Sequence, residues 1–214
     1  MKKLLKKILT FFKLINLSTQ IYTLLVQLAY YPKWIILKKR NKIFLEIGSG
    51  NRKGTNGWVT VDLYGADIIH DLKKGIPLPE ASVDQIYASH FLEHIPFKDL
   101  IILLEEIYRV LKKNGKFFVC APDASLYIKS YVNEKRFLPE GGFYQPAVVD
   151  TGSLMDQVNY IAYMDQEHNY LFDKENLINT LKKIPFEKVN LRNFDESLDK
   201  KSRDSDSIYA VAIK

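Results

Sequence analysis

With 214 residues, 47% of them hydrophobic and 26% charged, the chain can bury one substantial core and lacks the composition of a disordered polypeptide. Its formal charge of +6 is uneven, because ten of the 31 Lys and Arg fall within residues 1 to 42, which hold no acid, leaving 21 basic against 25 acidic residues elsewhere. A mildly acidic body argues against a broad nucleic-acid footprint. The single cysteine, Cys120 in an apolar run, excludes an internal disulfide framework and fits a reducing, cytoplasmic setting.

Residues 2 to 15 are amphipathic. At about 100° per residue, Leu4, Leu5, Ile8, Leu9, Phe11, Phe12 and Ile15 share one half of a helical wheel, with Lys2, Lys3, Lys6, Lys7 and Lys13 opposite. Two readings follow: a helix lying on an anionic membrane surface, or one that caps the core with its lysines in water. Residues 14 to 31 are uncharged but too polar for a hydrocarbon span, and predict a second helix ending before Pro32. Lys13 interrupts the first apolar run and no small-x-small cleavage site follows, which argues against a secretory signal. Lys33 to Lys42 reads as a link, so residues 1–42 form a basic extension and 43–214 the body.

The body opens with Ile43 to Gly50, IFLEIGSG, an apolar strand delivered into an acid-x-Gly-x-Gly turn where the backbone is stripped of side chains. Trp58 to Leu63 is a second strand, closed by Asp62. Asp67 to Asp71 is a third extended piece, and its connector is too short for a parallel crossover, so it is an antiparallel neighbour or an extended edge segment. After Pro77 and Pro79, Val83 to Ala88 is a strand and Ser89 to Ile95 a loop. Lys98 to Lys112 is an amphipathic helix ended by Asn114-Gly115, and Gly115 to Ala121 a buried strand. Residues 124–172 form a long aromatic insertion on the substrate side, with a small helix from Ser125 to Asn133. Asp173 caps a helix reaching Lys183, Phe186 to Leu191 is a strand, and Ser207 to Ile213 closes the chain as an antiparallel edge.

The spacing of the glycines and acids discriminates between nucleotide ligands. A dinucleotide fold wants a third glycine and an acid about 20 residues on. Here Lys53 stands in the third position, and Asp62 follows Gly50 by only twelve residues. A ligand with a ribose and no pyrophosphate needs only the close backbone approach and one carboxylate. Asp84 reads as a cap or ion-pair partner. His90 and His94 flank Glu93 in HFLEH, but the order is not H-E-x-x-H and the loop position argues against zinc.

LEIGSG, GWVTVDL, HDLKKGIPLPEASVDQIYASHFLEHI, EEIYRVLKKNGKFFVCAPD and HNYLFDKENLINTLKKIPFEKV occur in this order. On these segments, from about Ile43 to Lys214, the chain resembles the class I S-adenosylmethionine-dependent methyltransferases. The nearest likeness is to a compact, type 11-like group often linked to bacterial surface-glycan synthesis. The resemblance implies a Rossmann-like α/β sheet with a shortened N-terminal half and an antiparallel closing strand. It implies that Glu46 orients the methionine amino group, that Gly48 and Gly50 admit the methionine part, and that Asp62 holds the ribose. Asp71 and the Leu72 backbone would bracket adenine, and Ser89 and His90 would lie beneath the sulfonium. If the acceptor needs a base, His90 is the first candidate and His168 the second, with Tyr170 and Asp123 available to orient it. Lys113-Asn114 departs from the Pro-Gly common before the fifth strand, and the crossover helices of the N-terminal half are missing. The implied reaction is methyl transfer to a hydroxyl of a sugar or glycan intermediate in the cytoplasm, with residues 2–15 as a candidate contact to the inner membrane face. A small-molecule or lipid acceptor, and a non-catalytic scaffold, are the alternatives.

Overall fold

A computed structural model describes residues 25, 26, 28–138 and 150–214, so the amphipathic segment 2–15 and the Gly141-Gly142 stretch of the insertion lie outside the described residues. Seven strands form one sheet in the order β3-β2-β1-β4-β5-β7-β6. They are β1 (Phe44–Ile47), β2 (Trp58–Asp62), β3 (Ile68–Ile69), β4 (Val83–Ser89), β5 (Leu111–Pro122), β6 (Lys188–Leu191) and β7 (Ser207–Ile213). β1 to β5 run parallel, and β7 is antiparallel to both of its neighbours. The chain order reverses at β1, which pairs with β2 on one side and β4 on the other, and ligands of open α/β sheets bind at the carboxyl ends of the strands beside such a switch.

The helices are α1 (28–38), α2 (Phe97–Val110), α3 (Ala124–Val132), α4 (Met155–Tyr163) and α5 (Lys174–Leu181). Leu100, Leu103, Leu104, Ile107 and Val110 recur at helical spacing and bury α2 against the sheet, while α5 seats Leu177 and Leu181 in the same core. Trp34 and Leu37 of α1 join that core, each 2% exposed. All three helices therefore pack on the face that carries Leu45, Ile47, Val61, Ile86, Phe117 and Val119.

Among the described residues no helix covers the opposite face between β1 and β2, because residues 48–57 cross over as an irregular loop. Its place is taken by aromatic side chains. Phe44 meets Trp58 at 5.5 Å and Trp58 meets Tyr87 at 6.3 Å between ring centroids, and Tyr87, Cys120 and Tyr209 form a second buried cluster. The segment after β6 folds over this face. Arg192 lies 4.9 Å above the Tyr209 ring, and its guanidinium forms a two-point pair with Asp199, which also accepts from the Tyr87 hydroxyl at 3.1 Å.

Two sequence expectations need correction, and one open alternative closes. The second helix does not end at Pro32 but continues to residue 38, because one missing N–H on an exposed turn costs less than the burial of Trp34 and Leu37 returns. Of the two readings of Asp67 to Asp71, the extended edge segment holds and the antiparallel neighbour does not. β3 lies at the edge of the sheet and pairs parallel with β2, and since only Val61↔Ile68 and Asp62↔Ile69 are matched, the connector drops back by two residues and not by a full strand. Asp67 fixes that return by accepting the N–H groups of Gly54 at 2.8 Å and Thr60 at 3.2 Å. β7 is also not an edge, since it lies between β5 and β6. Asp84 behaves as expected, accepting the Ile43 N–H and the Lys112 ammonium, each at 2.8 Å.

Candidate active site

The turn after β1 places Gly48 and Gly50 at φ +63° and +64°, a region that L side chains avoid. At Gly48 a Cβ would fall 2.0 Å from Phe91 Cγ, so the ring of Phe91 lies against bare main chain. Asp62, at the end of β2, takes the Gly50 N–H on Oδ2 at 2.8 Å and the Leu63 N–H on Oδ1 at 2.6 Å. Each oxygen retains acceptor capacity for a hydroxyl. A cleft of about 350 Å³ opens here, with Gly48, Asp62, Asp71, Leu72, Phe91 and His94 among its lining. Asp71 shapes the cleft wall by capping the 3-10 turn Leu72–Lys74, accepting the Lys73 N–H at 3.0 Å.

Charge of both signs gathers beside the glycine turn. Burial raises the Glu46 carboxyl above its usual range against the pull of Arg52, with which it pairs directly, and of Lys200 and Arg203. An amino acid end group presents one ammonium and one carboxylate, and this cluster offers a counterpart for each.

Beyond β4 the chain forms a thin wall between two spaces. His90 sits at φ +48°, its N–H bonded to the Cys120 carbonyl at 2.8 Å and its Nε2 2.8 Å from Ser207 Oγ. Phe91 faces the cofactor cleft, His90 and Glu93 face a second cavity of about 330 Å³, and His94 borders both. Tyr127, Tyr160, His168, Lys200, Arg203 and Asp206 are among the rest of the second lining. Burial, followed by the charges of Arg203, His168 and His94, holds His90 well below its ordinary pKa, so its imidazole is neutral. Burial also lowers His168, whose Nδ1 lies 2.7 Å from the Ile161 carbonyl.

Four of the predicted cofactor residues, Gly48, Asp62, Asp71 and Leu72, line one cleft. Glu46, Gly50 and Ser89 stand outside that lining: Gly50 steadies Asp62, and Ser89 Oγ accepts from Arg203 at 3.1 Å. His90 and His168, 78 residues apart in the sequence numbering, face the same second cavity. Two proposed acceptor-orienting residues have structural partners instead. The Asp123 carboxylate caps α3 through the Ser125 N–H, and the Tyr170 hydroxyl accepts from Asn176 while its ring packs on Phe97 and Phe172. Sequence reasoning missed Phe91, Lys200 and Arg203. The polar run Lys200 to Asp206 gives no periodic signal, and only the tertiary fold brings it to the site. The two histidines of HFLEH part company: His94 stacks edge-on with His168 at 5.0 Å while His90 turns to Ser207.

Residues 49–119 match the methyltransferase domain family. No curated protein sequence matches the chain. Among solved structures, the fold resembles an S-adenosylmethionine-dependent methyltransferase from Thermotoga maritima, described as a possible histamine N-methyltransferase, at 15% identity and a TM-score of 0.50 over 88% of this chain and 96% of that one. A second methyltransferase, from Archaeoglobus fulgidus, aligns at 17% identity and a TM-score of 0.47 over 87% and 92% of the two chains. Phosphoethanolamine N-methyltransferase 2 from Haemonchus contortus aligns at 14% and 0.47, over 88% of this chain and 52% of its own. The sheet has the fold of the class I methyltransferases, and the stretch that matches the methyltransferase domain family holds Gly50, Asp62, Asp71 and Leu72, three of which line a cleft that suits S-adenosylmethionine.

Proposed function

We propose that the chain methylates a small acceptor bound in the second cavity, at an oxygen of that acceptor. The observation that carries this reading is the single-residue wall between the two spaces: Phe91 faces the cofactor cleft, its neighbour His90 faces the other cavity, and about 330 Å³ suits a small molecule or one sugar unit. S-adenosylmethionine, when bound, supplies a methyl group activated by its sulfonium. The chain's own residues align the two ligands and exclude water, which is most of what an in-line displacement needs. Neutral His90 is the residue placed to accept a proton from the acceptor, and the Lys200 and Arg203 cations suit an acceptor that carries an anionic group. A sugar hydroxyl of a glycan intermediate belongs to this class, and a lipid headgroup carrying a free hydroxyl does as well.

The test is a panel of small hydroxyl and amine compounds, with and without a phosphate or carboxylate, scored by S-adenosylhomocysteine release and by the mass and bond type of the product. Methylation of an oxygen, favoured by the anionic members, is expected. Methylation confined to amine nitrogen would overturn the assignment of the acceptor atom.

A further inference from the structure

The second cavity holds an arrangement that methyl transfer by itself does not call for. Glu93 is 2% exposed, and neither of its carboxylate oxygens has a hydrogen-bond partner among the described residues. A buried carboxylate left in that condition is costly unless something of opposite charge stands against it. What faces it among the described residues is two imidazoles and no fixed cation within ion-pair distance: one ligand atom from each of Glu93, His94 and His168 lies within 4.8 Å of the others, and His94 Nε2 is 3.8 Å from Glu93 Oε1.

The histidines are set for ligation. His94 Nδ1 lies 3.1 Å from the Glu167 carbonyl and His168 Nδ1 2.7 Å from the Ile161 carbonyl. A carbonyl can only accept, so both Nδ1 atoms carry the proton, and both Nε2 atoms are left as free lone pairs. Backbone carbonyls in this role are the usual outer support of metal-bound histidine.

The backbone also holds the two ligand segments together. Asn169 and Tyr170 donate their N–H groups to the Glu93 carbonyl at 2.7 and 3.1 Å, and the Asn169 side chain reaches the His94 carbonyl at 3.0 Å. Just before His168, three consecutive non-glycine residues, Met164, Asp165 and Gln166, adopt φ of +36°, +54° and +73°. Left-handed backbone costs about 1–2 kcal/mol per residue, and such strain persists where the surroundings over-determine a functional geometry.

We propose that Glu93, His94 and His168 bind a divalent transition-metal cation in the acceptor cavity. Two imidazoles and one carboxylate are a donor set for zinc and its neighbours, and ligand atoms in a tetrahedral site lie about 3.4 Å apart when bonds are about 2.1 Å, so the side chains need close in by only about 1 Å. Three protein ligands leave a coordination position open, and here it opens into the cavity shared with His90 and Arg203. The cation holds the acceptor oxygen and eases loss of its proton. In the transfer the hydroxyl proton passes to His90, the oxygen lone pair forms the new C–O bond, and the S–C bonding pair returns to sulfur as S-adenosylhomocysteine leaves. This role rests on the oxygen-acceptor reading above; the binding of the cation does not.

The experiment uses the full chain, untagged and stripped with chelator, titrated separately with ZnCl₂, MnCl₂ and CoCl₂ by calorimetry, with visible absorption following Co²⁺. S-adenosylhomocysteine binding is measured on the same samples. One equivalent of metal is expected, with affinity reduced roughly 100-fold or more in Glu93→Gln and in the half-exposed His94→Ala, and cofactor-product affinity preserved in both. No stoichiometric binding of any of the three cations by protein that still binds S-adenosylhomocysteine overturns the site and leaves the methyltransferase reading intact. Undiminished metal affinity in both variants overturns the ligand assignment. If the metal binds as expected but stripped and loaded enzyme methylate the same nitrogen acceptor at equal rates, the site stands and the oxygen-acceptor reading fails.

Discussion

Replacing Gly48 with alanine probes the closest approach in the cofactor cleft. The substitution has two separable costs. The backbone at φ +63° is left-handed, which costs an L residue about 1–2 kcal/mol. The new Cβ would also stand 2.0 Å from Cγ and 2.1 Å from Cδ2 of Phe91, too close for any relaxation short of moving the ring. Phe91 is half-buried against the core, and displacing it forfeits about half of a phenylalanine's burial, or about 1–2 kcal/mol. Gly48→Ala should therefore lose about 2–4 kcal/mol, which lowers the urea midpoint by about 1 M for a domain with a slope of about 2–3 kcal/mol/M. Phe91→Ala removes the obstacle, so in the double variant only the dihedral cost of Gly48→Ala remains. The four proteins of this cycle, unfolded in urea without cofactor and followed by circular dichroism, should give a coupling of about 1–2 kcal/mol in favour of the double variant. Additive losses would refute the contact between Phe91 and the glycine turn as the reason for Gly48.

Asp62→Asn keeps the shape of the carboxylate but sets an amide donor against either the Gly50 or the Leu63 N–H, and S-adenosylhomocysteine affinity by calorimetry should fall about 10- to 100-fold, in line with the loss of about 1.5–3 kcal/mol of charged hydrogen bonding. Asp199→Ala leaves Arg192 buried without its counter-ion and should cost about 3–5 kcal/mol in chemical denaturation; a loss under 1 kcal/mol would show that solvent reaches the guanidinium. Burial pushes the Cys120 thiol to about 11, so iodoacetamide at pH 8 should label it only at the rate of unfolding, and labelling as fast as a free thiol would contradict its placement. Burial raises Asp67, but hydrogen bonds from Gly54 and Thr60 and the charge of Lys53 outweigh it and leave its pKa lowered. A carboxyl depressed in the folded state stabilises above its unfolded pKa and loses that contribution as pH falls through the folded value. The melting temperature of the wild type should accordingly drop more steeply than that of Asp67→Asn as pH falls below about 4.

What could be read from the sequence was local. The strand into the glycine turn, Asp62 at the end of β2, the repeat that buries α2 and the Asp173 cap are each specified by residues within one or two turns of each other, and each stands where expected. Pairings across long separations were not legible. Nothing in HFLEH says that His94 will meet a histidine 74 residues later, because three left-handed residues and a set of backbone hydrogen bonds to Glu93 bring them together. The edge placement of β3 was legible but its direction was not, for a related reason: the crossover rule assumes strands of ordinary length, and a two-residue ladder escapes it. Pro32 misled because a breaker signal is weighed locally, whereas Trp34 and Leu37 anchor the helix through tertiary burial.

The lost crossover helices also explain where the site obtains its cations. A parallel sheet normally has both faces covered by helices, and here α1, α2 and α5 all lie on one. The aromatic residues on the other face still have to be shielded, and the segment from Arg192 to Asp206 does this, pinned by Arg192 to Asp199 and by Asp199 to the Tyr87 hydroxyl. Tyr87 lies on β4, two residues before Ser89, so the pin sits close to the carboxyl ends of the strands where ligands bind. The residues that follow Asp199 are thereby carried over the sheet's end, where Arg203 donates to the carbonyl and hydroxyl of Ser89 and Lys200 and Arg203 border the acceptor cavity. Covering the exposed face and supplying positive charge to the site are thus the work of one segment. A loss at Asp199 should accordingly weaken cofactor binding as well as stability, while leaving the glycine turn, whose hydrogen bonds run to Val61 and Asp62, in place.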